Sequence, residues 1–249
     1  MLTHCKTVSL LFLSFTVLGL AACKEELDAQ AIVSKSIEVH GGDLYENSNI
    51  EFSFRNRDYK IHRDGGIFNY ERIFTDSLGT FHDFLNNDFF AREIGGQHFR
   101  LTDADSLAQA NSLNSVIYFA ILPYLLNDPA VYKTMLDDVE IDGETYYKIK
   151  VSFSPEGGGV DFEDEYVYWF NKESFTLDFL AYSFHVNGGG TRFRKAINRR
   201  EINGITFQDY ENYTAETEVE NIANFDELFM NQSLKEVSII DLKNIVVTR

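Results

Sequence analysis

Cysteine, proline and tryptophan are scarce in this chain of 249 residues, at two, three and one respectively. Both cysteines, Cys5 and Cys23, lie near the amino end. The body of the chain therefore has no thiol for a disulfide, a CxxC redox pair or a cysteine-metal centre. With so few prolines and no Pro/Ser-rich stretch, no linker divides that body into domains. Basic residues are also short, 22 Lys and Arg against 39 Asp and Glu. The net charge of −17 repels nucleic acid and anionic headgroups, and favours solubility, cations or basic partners. A spanning helix needs about 20 apolar residues. The leading apolar stretch, Val8 to Leu20, is too short and is interrupted by Ser9, Ser14, Thr16 and Gly19. No HExxH, GxSxG elbow, phosphate-binding GxxxxGK loop or dinucleotide GxGxxG occurs.

What is present begins with the leader. Lys6, with His4 beside it, gives a basic start; the apolar stretch follows, then Leu20, Ala21, Ala22 and Cys23, then Lys24, Glu25 and Glu26. A positive start, a short greasy middle and small residues at the cut describe a signal peptide over residues 1–22. Leu20-Ala21-Ala22-Cys23 resembles the lipobox of bacterial lipoproteins in all four positions. That resemblance implies that the Cys23 thiol receives a diacylglycerol, that the chain is cut before it, and that the new amino end is acylated. The other reading is a secreted protein whose cleavage site happens to end in Cys. Each buried methylene contributes about 0.8 kcal/mol, so several acyl chains hold a protein almost permanently at a membrane. Residues 23–27 then form the lipidated Cys and a short tether. Residues 28–249 form a single domain. Lys24-Glu25-Glu26 resembles a short signal that takes some Gram-negative lipoproteins to the cell surface, although a plain solvated tether has the same composition. Asp, which in some bacteria retains lipoproteins in the inner membrane, is absent after Cys23. The expectation is a lipid-anchored outer-membrane protein, with the periplasmic or surface-exposed face left open.

The body is not disordered, because 44% of the chain is hydrophobic and 14% aromatic, enough for a sizeable core. Asp64-Gly65-Gly66, Asn86-Asn87, Gly95-Gly96, Asp142-Gly143, Asn171-Lys172, Gly188 to Gly190 and Asn203-Gly204 punctuate runs rich in aromatic and β-branched residues. Asp-Gly and Asn-Gly between such runs signal hairpins, since type I′ turns need positive φ. Tyr147, Ile149, Val151 and Phe153 alternate with Lys148, Lys150 and Ser152, one wall buried and one wet. Tyr166-Val167-Tyr168-Trp169-Phe170 is apolar on both faces, so it is covered on both sides or faces a cavity on one. About ten strands in an antiparallel meander are expected. Three helices are expected to interrupt it. The first covers 28–40, capped by Asp28 and closed by Gly41-Gly42. The second covers 112–126 and the third 129–136, entered by Asp128 and Pro129. Val116 to Leu126 is apolar or aromatic throughout, so the second helix must be surrounded by protein, with Pro123 bending or ending it.

A leading helix, a long antiparallel meander and a helical insertion resemble the lipoprotein localisation-factor (LolA/LolB-like) superfamily of Gram-negative envelopes. The opening from Ala31 to Tyr45, with His40-Gly41-Gly42 inside it, and on into Ile50 to Tyr59, is similar to the start of uncharacterised envelope lipoproteins related to that superfamily. The resemblance implies a mainly β (α+β) domain. Its strongly curved antiparallel sheet would form a half-open barrel, with helices packed on or in the concave side. It also implies acyl-chain binding or envelope sensing. It carries no motif beyond the lipobox, and so no site residues.

Candidate sites are sparse. Asp138-Val139-Glu140-Ile141-Asp142-Gly143 imitates the start of a calcium loop, but the twelfth position, a bidentate Glu in such loops, is Ile149. A hairpin turn fits better. Asp161, Glu163, Asp164 and Glu165 read as a solvated strand end before a cation site. His40, His62, His82, His98 and His185 are scattered without ligand spacing, so neither zinc nor heme is assigned. Gly157 to Gly159 and Gly188 to Gly190 read as loop tips rather than phosphate cradles. A pair of carboxylates making a glycosidase cannot be picked out by inspection among so many acids.

Three functions follow, in order of preference. One is a non-catalytic binding module for a lipid-like or other apolar ligand, contacted by Phe119, Leu122, Tyr124, Leu125 and Trp169. The second is an interaction lipoprotein with a filled core that meets another envelope protein. The third is a hydrolase. No cofactor is expected. A continuous apolar void of roughly 300–1,000 Å³ separates the first from the second. The anchor is tested directly: Cys23→Ser is expected to leave an uncut or poorly cut precursor that takes up no labelled palmitate, and continued incorporation of label would refute the assignment.

Overall fold

The runs between the turn pairs are strands in a computed structural model, which describes residues 26–156, 163–185, 188–217 and 219–249. The leader, Cys23 and Asp161 lie outside those residues. The first sheet is a meander: β1 (Asn49–Phe54), β2 (Arg57–Asp64), β3 (Ile67–Asp76), β4 (Gly79–Asn86), β5 (Phe90–Ile94) and β6 (Gln97–His98). The second takes β7 (Val131–Met135), β8 (Val139–Ile141), β9 (Glu144–Phe153), β10 (Tyr166–Asn171), β11 (Leu177–Phe184), β12 (Gly190–Ile202), β13 (Ile205–Ala215) and β14 (Leu234–Ile240). The last strand, β15 (Lys243–Thr248), leaves the second sheet and pairs with β1 of the first. The chain thus forms two antiparallel sheets rather than one, and fifteen strands among the described residues rather than about ten. The extra strands are short or follow turns without Gly. Arg55-Asn56, for instance, joins β1 to β2 with φ of 50° and 59°.

The sheets do not close on each other, and the result is a half-open barrel. One seam is the β14–β15 link. There Arg200 Nη2 donates to the Leu242 carbonyl at 2.6 Å, Leu242 N–H donates to Asp209 at 2.9 Å, and Asn203 Nδ2 donates to the Val247 carbonyl at 2.7 Å. Helix α1 (Ala29–His40) packs into the core on the second sheet, with Ile149, Tyr168, Leu177 and Tyr210. Its end passes so close to the β12–β13 turn that a Cβ on Gly41, at φ 139°, would meet the Gly204 carbonyl and Ile205 Cα at 3.2 Å. Only glycine suits that position. Asp28 caps α1 as its sequence indicates, accepting from Ala31 N–H at 2.7 Å.

The other two expected helices are revised. Helix α2 (Asp103–Ala120) begins well before residue 112, where Thr102 accepts from Asp105 N–H at 3.1 Å and acidic residues sit in the first turn. Its polar opening lacks an apolar period, and its cap decides the boundary. It ends at Ala120, just ahead of Pro123, which disfavours helical backbone in the residue before it. Residues 131–135 of the expected third helix form strand β7, which pairs with β9 from Val131↔Phe153 to Met135↔Ile149. Asp128-Pro129 makes a turn there, with Asp128 accepting from Ala130 N–H at 2.9 Å. The same dipeptide signal serves helix starts and turns. A helix the sequence did not reveal, α3 (Phe225–Met230), covers the outer face of the second sheet.

Side chains on the second sheet divide by parity. Most even positions of β10–β13, among them Tyr166, Tyr168, Tyr182, Arg194 and Tyr210, face inward, and a register shift turns Leu177 inward as well. Odd positions such as Val167, Trp169, Phe179 and Phe193 face α3. The wall of β9 expected to be wet is partly covered, because Lys148 Nζ donates to Asp226 at 2.6 Å under α3. On the first sheet the outer face is wet, with Lys60 pairing with Glu51 at 3.4 Å across it.

Between the sheets runs the apolar end of α2. Leu113, Ile117 and Ile121 enter the core on the first sheet; Tyr118, Phe119 and Leu122 pack into the core on the second. The polar half of α2 is held by charge. Asp83, fully buried, accepts from Arg72 Nη2 and Arg92 Nε at 2.6 Å each. Gln109 of α2 accepts from both guanidiniums at 2.9 Å, and Ser112 from Arg72 at 3.0 Å. Removing one partner of such a buried group costs about 3–5 kcal/mol, whereas an exposed pair is worth about 1 kcal/mol at most. Asp83→Ala is therefore expected to lower urea stability by about 3–5 kcal/mol, and Lys60→Ala by less than about 1 kcal/mol. Equal effects would contradict this anchoring of α2.

Candidate ligand-binding cavity

The interior is not packed solid. A cavity of about 590 Å³ lies on one flank of α2, lined by Val116, Phe119 and Ala120 of the helix, by Phe54 and Arg55 of the β1–β2 turn, and by the inward residues of β10–β14. A second of about 400 Å³ lies on the other flank, against Phe68 and Tyr70 of the first sheet and Val131 and Phe153 of the second. Ser115, Phe119 and Tyr166 line both. Each volume falls in the ordinary range of small-molecule sites.

The larger cavity has an aromatic wall. Phe119 lies 5.2 Å from Tyr182 between ring centroids, and Tyr166 stacks on Tyr182 at 5.7 Å. Behind them, the Tyr118 and Tyr168 hydroxyls meet at 2.9 Å. Burial pushes both phenols well above their usual range, so the pair stays neutral. Strand β12 adds two guanidiniums to this wall. Arg194, itself buried, lies 4.0 Å over the Phe119 ring and 5.0 Å from Tyr182, and its Nη2 donates to Tyr182 Oη at 2.7 Å. Its Nε and the Oδ1 of its cross-strand neighbour Asn212 are buried without a hydrogen-bond partner. Such a group costs about 1–3 kcal/mol when left unmet.

The residues singled out from sequence separate in space. Phe119 borders both cavities and Leu125 the smaller one. Leu122 is core, 3% exposed. The Tyr124 ring stacks on Tyr45 at 4.7 Å and its hydroxyl donates to Glu46. Trp169 lies on the outer face of the second sheet, with Nε1 donating to Asp226 at 3.2 Å beneath α3. Tyr166, Tyr182, Phe184, Arg194 and Tyr210 are the lining residues that sequence reasoning missed. Their signal was the alternation along β10 to β13, hidden because both faces there are covered.

A profile described as "Family of unknown function (DUF6503)" matches residues 6–242. The chain belongs to this family. No curated protein matches it. Among solved structures it is similar to a LolA superfamily protein from Nitrosomonas europaea, at 12% identity and a TM-score of 0.45, over 90% of this chain and 95% of that one. It is also similar to a DUF1329 family protein from Desulfovibrio piger, at 10% identity and a TM-score of 0.49, over 89% of this chain and 93% of that one.

In this DUF6503 chain the histidines do not converge. Burial lowers the His40 pKa to about 4, against the Ser36 carbonyl that its Nδ1 contacts at 2.7 Å. His62 contacts Asn49 at 2.9 Å, His82 contacts Glu71 at 2.7 Å, and His185 contacts Asp164 at 3.0 Å. Among the described residues no three His, Cys, Asp or Glu side chains could hold a metal. Asp142-Gly143 is the β8–β9 turn, with Asp142 at φ 53°. Gly188 and Gly189 lie in the β11–β12 connection, and Gly190 begins β12. Gly157 to Gly159 is outside the described residues. Asp164 is the one carboxylate among the described residues that line the larger cavity. No helix among the described residues is long and apolar enough to cross a membrane.

The different surroundings of Phe119 and Leu122 predict different costs. Leu122→Ala creates a hole in packed core and is expected to cost about 2–5 kcal/mol. Phe119→Ala enlarges space already there, and is expected to cost less than about 3 kcal/mol, below the usual loss for a packed Phe. Urea titrations of both variants check this; a larger loss at Phe119 than at Leu122 would show that its flanks are packed.

Proposed function

We propose that this DUF6503 protein is a membrane-anchored envelope lipoprotein that binds a lipid-like or other apolar ligand, without catalysis, inside its half-open barrel. The observation that carries the reading is the pair of cavities flanking the apolar end of α2, the larger about 590 Å³ and walled by Phe119, Tyr166, Tyr182 and Tyr210. An apolar cavity with a few polar groups is the usual build of a small-molecule site. An interaction protein with a filled core has no need of it. The anchor rests on the leader and the Leu20-Ala21-Ala22-Cys23 sequence, and the outer membrane on the residues that follow.

Ser115 offers a test that spares the fold, because it is exposed yet lines both cavities. Dansyl-labelled undecanoic acid should gain fluorescence with the wild-type domain. Ser115→Trp should weaken its uptake at least about tenfold, a loss of roughly 1.4 kcal/mol, with an unchanged melting temperature. Wild-type protein that takes up no apolar probe would end the binding-module reading in favour of the interaction lipoprotein.

A further inference from the structure

The larger cavity is unlike a plain grease pocket at one end. Arg55, Arg192 and Arg194 all line it, against a single carboxylate among the described residues, that of Asp164. Asp164 lies 3.0 Å from His185. The chain carries 39 acidic residues against 22 basic ones, so a carboxylate for each interior arginine was available to the fold. The other two buried arginines among the described residues, Arg72 and Arg92, have one in Asp83. Arg194, 8% exposed, has no ion pair among the described residues.

The surroundings of Arg194 set what it can bind. The Phe119 and Tyr182 rings lie against its guanidinium, and such faces attract a cation without satisfying its N–H groups. Those groups lie in the guanidinium plane, where Tyr182 takes Nη2 and Nε has no partner. Asn212 is directly opposite on β13, with its amide Oδ1 unpartnered while Nδ2 donates to Ser238 at 3.1 Å. Because the two ends of an amide are interchangeable in placement, Asn212 can present a donor or an acceptor beside Arg194. Arg192 is two residues along the same face, its guanidinium 5.2 Å from the Phe184 ring. Next to these polar groups the wall is Val116, Phe119, Tyr166 and Ile240. A buried cation with a free edge, a neighbouring amide and an adjoining apolar wall match a molecule with an oxyanion at one end and a hydrocarbon chain at the other. Arg presents a fixed fork of N–H donors suited to carboxylate or phosphate.

We infer that the cavity takes an anionic amphiphile, whose carboxylate or phosphate is held by Arg194 with Arg192 and Asn212, and whose chain lies along Val116, Phe119 and Tyr166. This rests on the binding-module reading and narrows its ligand class. Net negative charge over the whole protein does not oppose it, because the lining among the described residues carries three arginines against one carboxylate.

Displacement of a neutral apolar dye, N-phenyl-1-naphthylamine, by four competitors tests it: palmitate, hexadecyl phosphate, methyl palmitate and hexadecanol. Either acid is expected to displace the probe at least about tenfold more effectively than both neutral compounds, and whichever acid is stronger identifies the headgroup source. Arg194→Met should bring that acid down to the level of methyl palmitate, while methyl palmitate displaces as before. Unchanged displacement by the neutral ligand then reports that the variant is folded. Arg194→Lys should keep part of the preference. Arg192→Met, less buried, should reduce it by a smaller factor, and Arg100→Met, remote from the cavity, should leave it unchanged. If the neutral compounds bind the wild type as tightly as the acids, the inference fails while the apolar-ligand reading stands. It fails equally if Arg194→Met keeps the full preference for acid. If no compound displaces probe and no probe binds, both readings fall together.

Discussion

A segment apolar on all sides cannot lie on a surface, and in this chain it lies between two sheets. Burying a Leu, Ile or Phe side chain is worth about 1.5–3 kcal/mol, so exposing half of residues 116–126 would cost more than most domains can spare. Ile117 and Ile121 meet the first sheet, while Tyr118, Phe119 and Leu122 meet the second. The helix that carries them connects β6 to β7, the two edges left apart when the barrel stays half open. It therefore spans the open seam and acts as a spacer. A single helix cannot fill a trough lined by two curved sheets, and the space on either side of it becomes the cavities.

Charge fixes how that spacer sits. Asp83 binds two arginines, and the surplus donors are met by Gln109 and Ser112, neutral oxygens on α2. The polar half of the helix is thereby tied to the first sheet, and its apolar half hangs between the two. The same residue type, Arg194, is placed on the opposite wall with rings on its faces and its Nε without a hydrogen-bond partner. Two interior arginines, Arg72 and Arg92, are part of the scaffold, and Arg194 stands apart from them on the other sheet.

The parts of this arrangement legible in the sequence were those governed by local rules. Asp28 and Gly41-Gly42 mark α1 because capping and positive φ are properties of a few adjacent residues. Asp142-Gly143 and Asn203-Gly204 mark hairpins for the same reason. The all-apolar run 116–126 showed that a segment must be enclosed, and it is. Failure came where tertiary contacts decide. Asp128-Pro129 suits a helix start, yet Val131 to Met135 finds an edge of β9 and becomes a strand. Trp169 looks like a natural ligand contact, but one step of strand parity points it at α3 instead of the interior. Arg72, Asp83 and Arg92 come from three strands and Arg194 from a fourth. Their juxtaposition depends on register, which alternation alone does not give when both faces of a strand are covered.

The central claim is that the space beside α2 exists to hold a ligand. Native mass spectrometry of the domain, purified from its own host without its lipid anchor, addresses it most directly. The account predicts a population heavier than the polypeptide by the mass of one lipid-sized molecule, lost on denaturation and reduced in Ser115→Trp. A single species at the polypeptide mass, unchanged when the protein is incubated with lipid extract from the same cells, would contradict it.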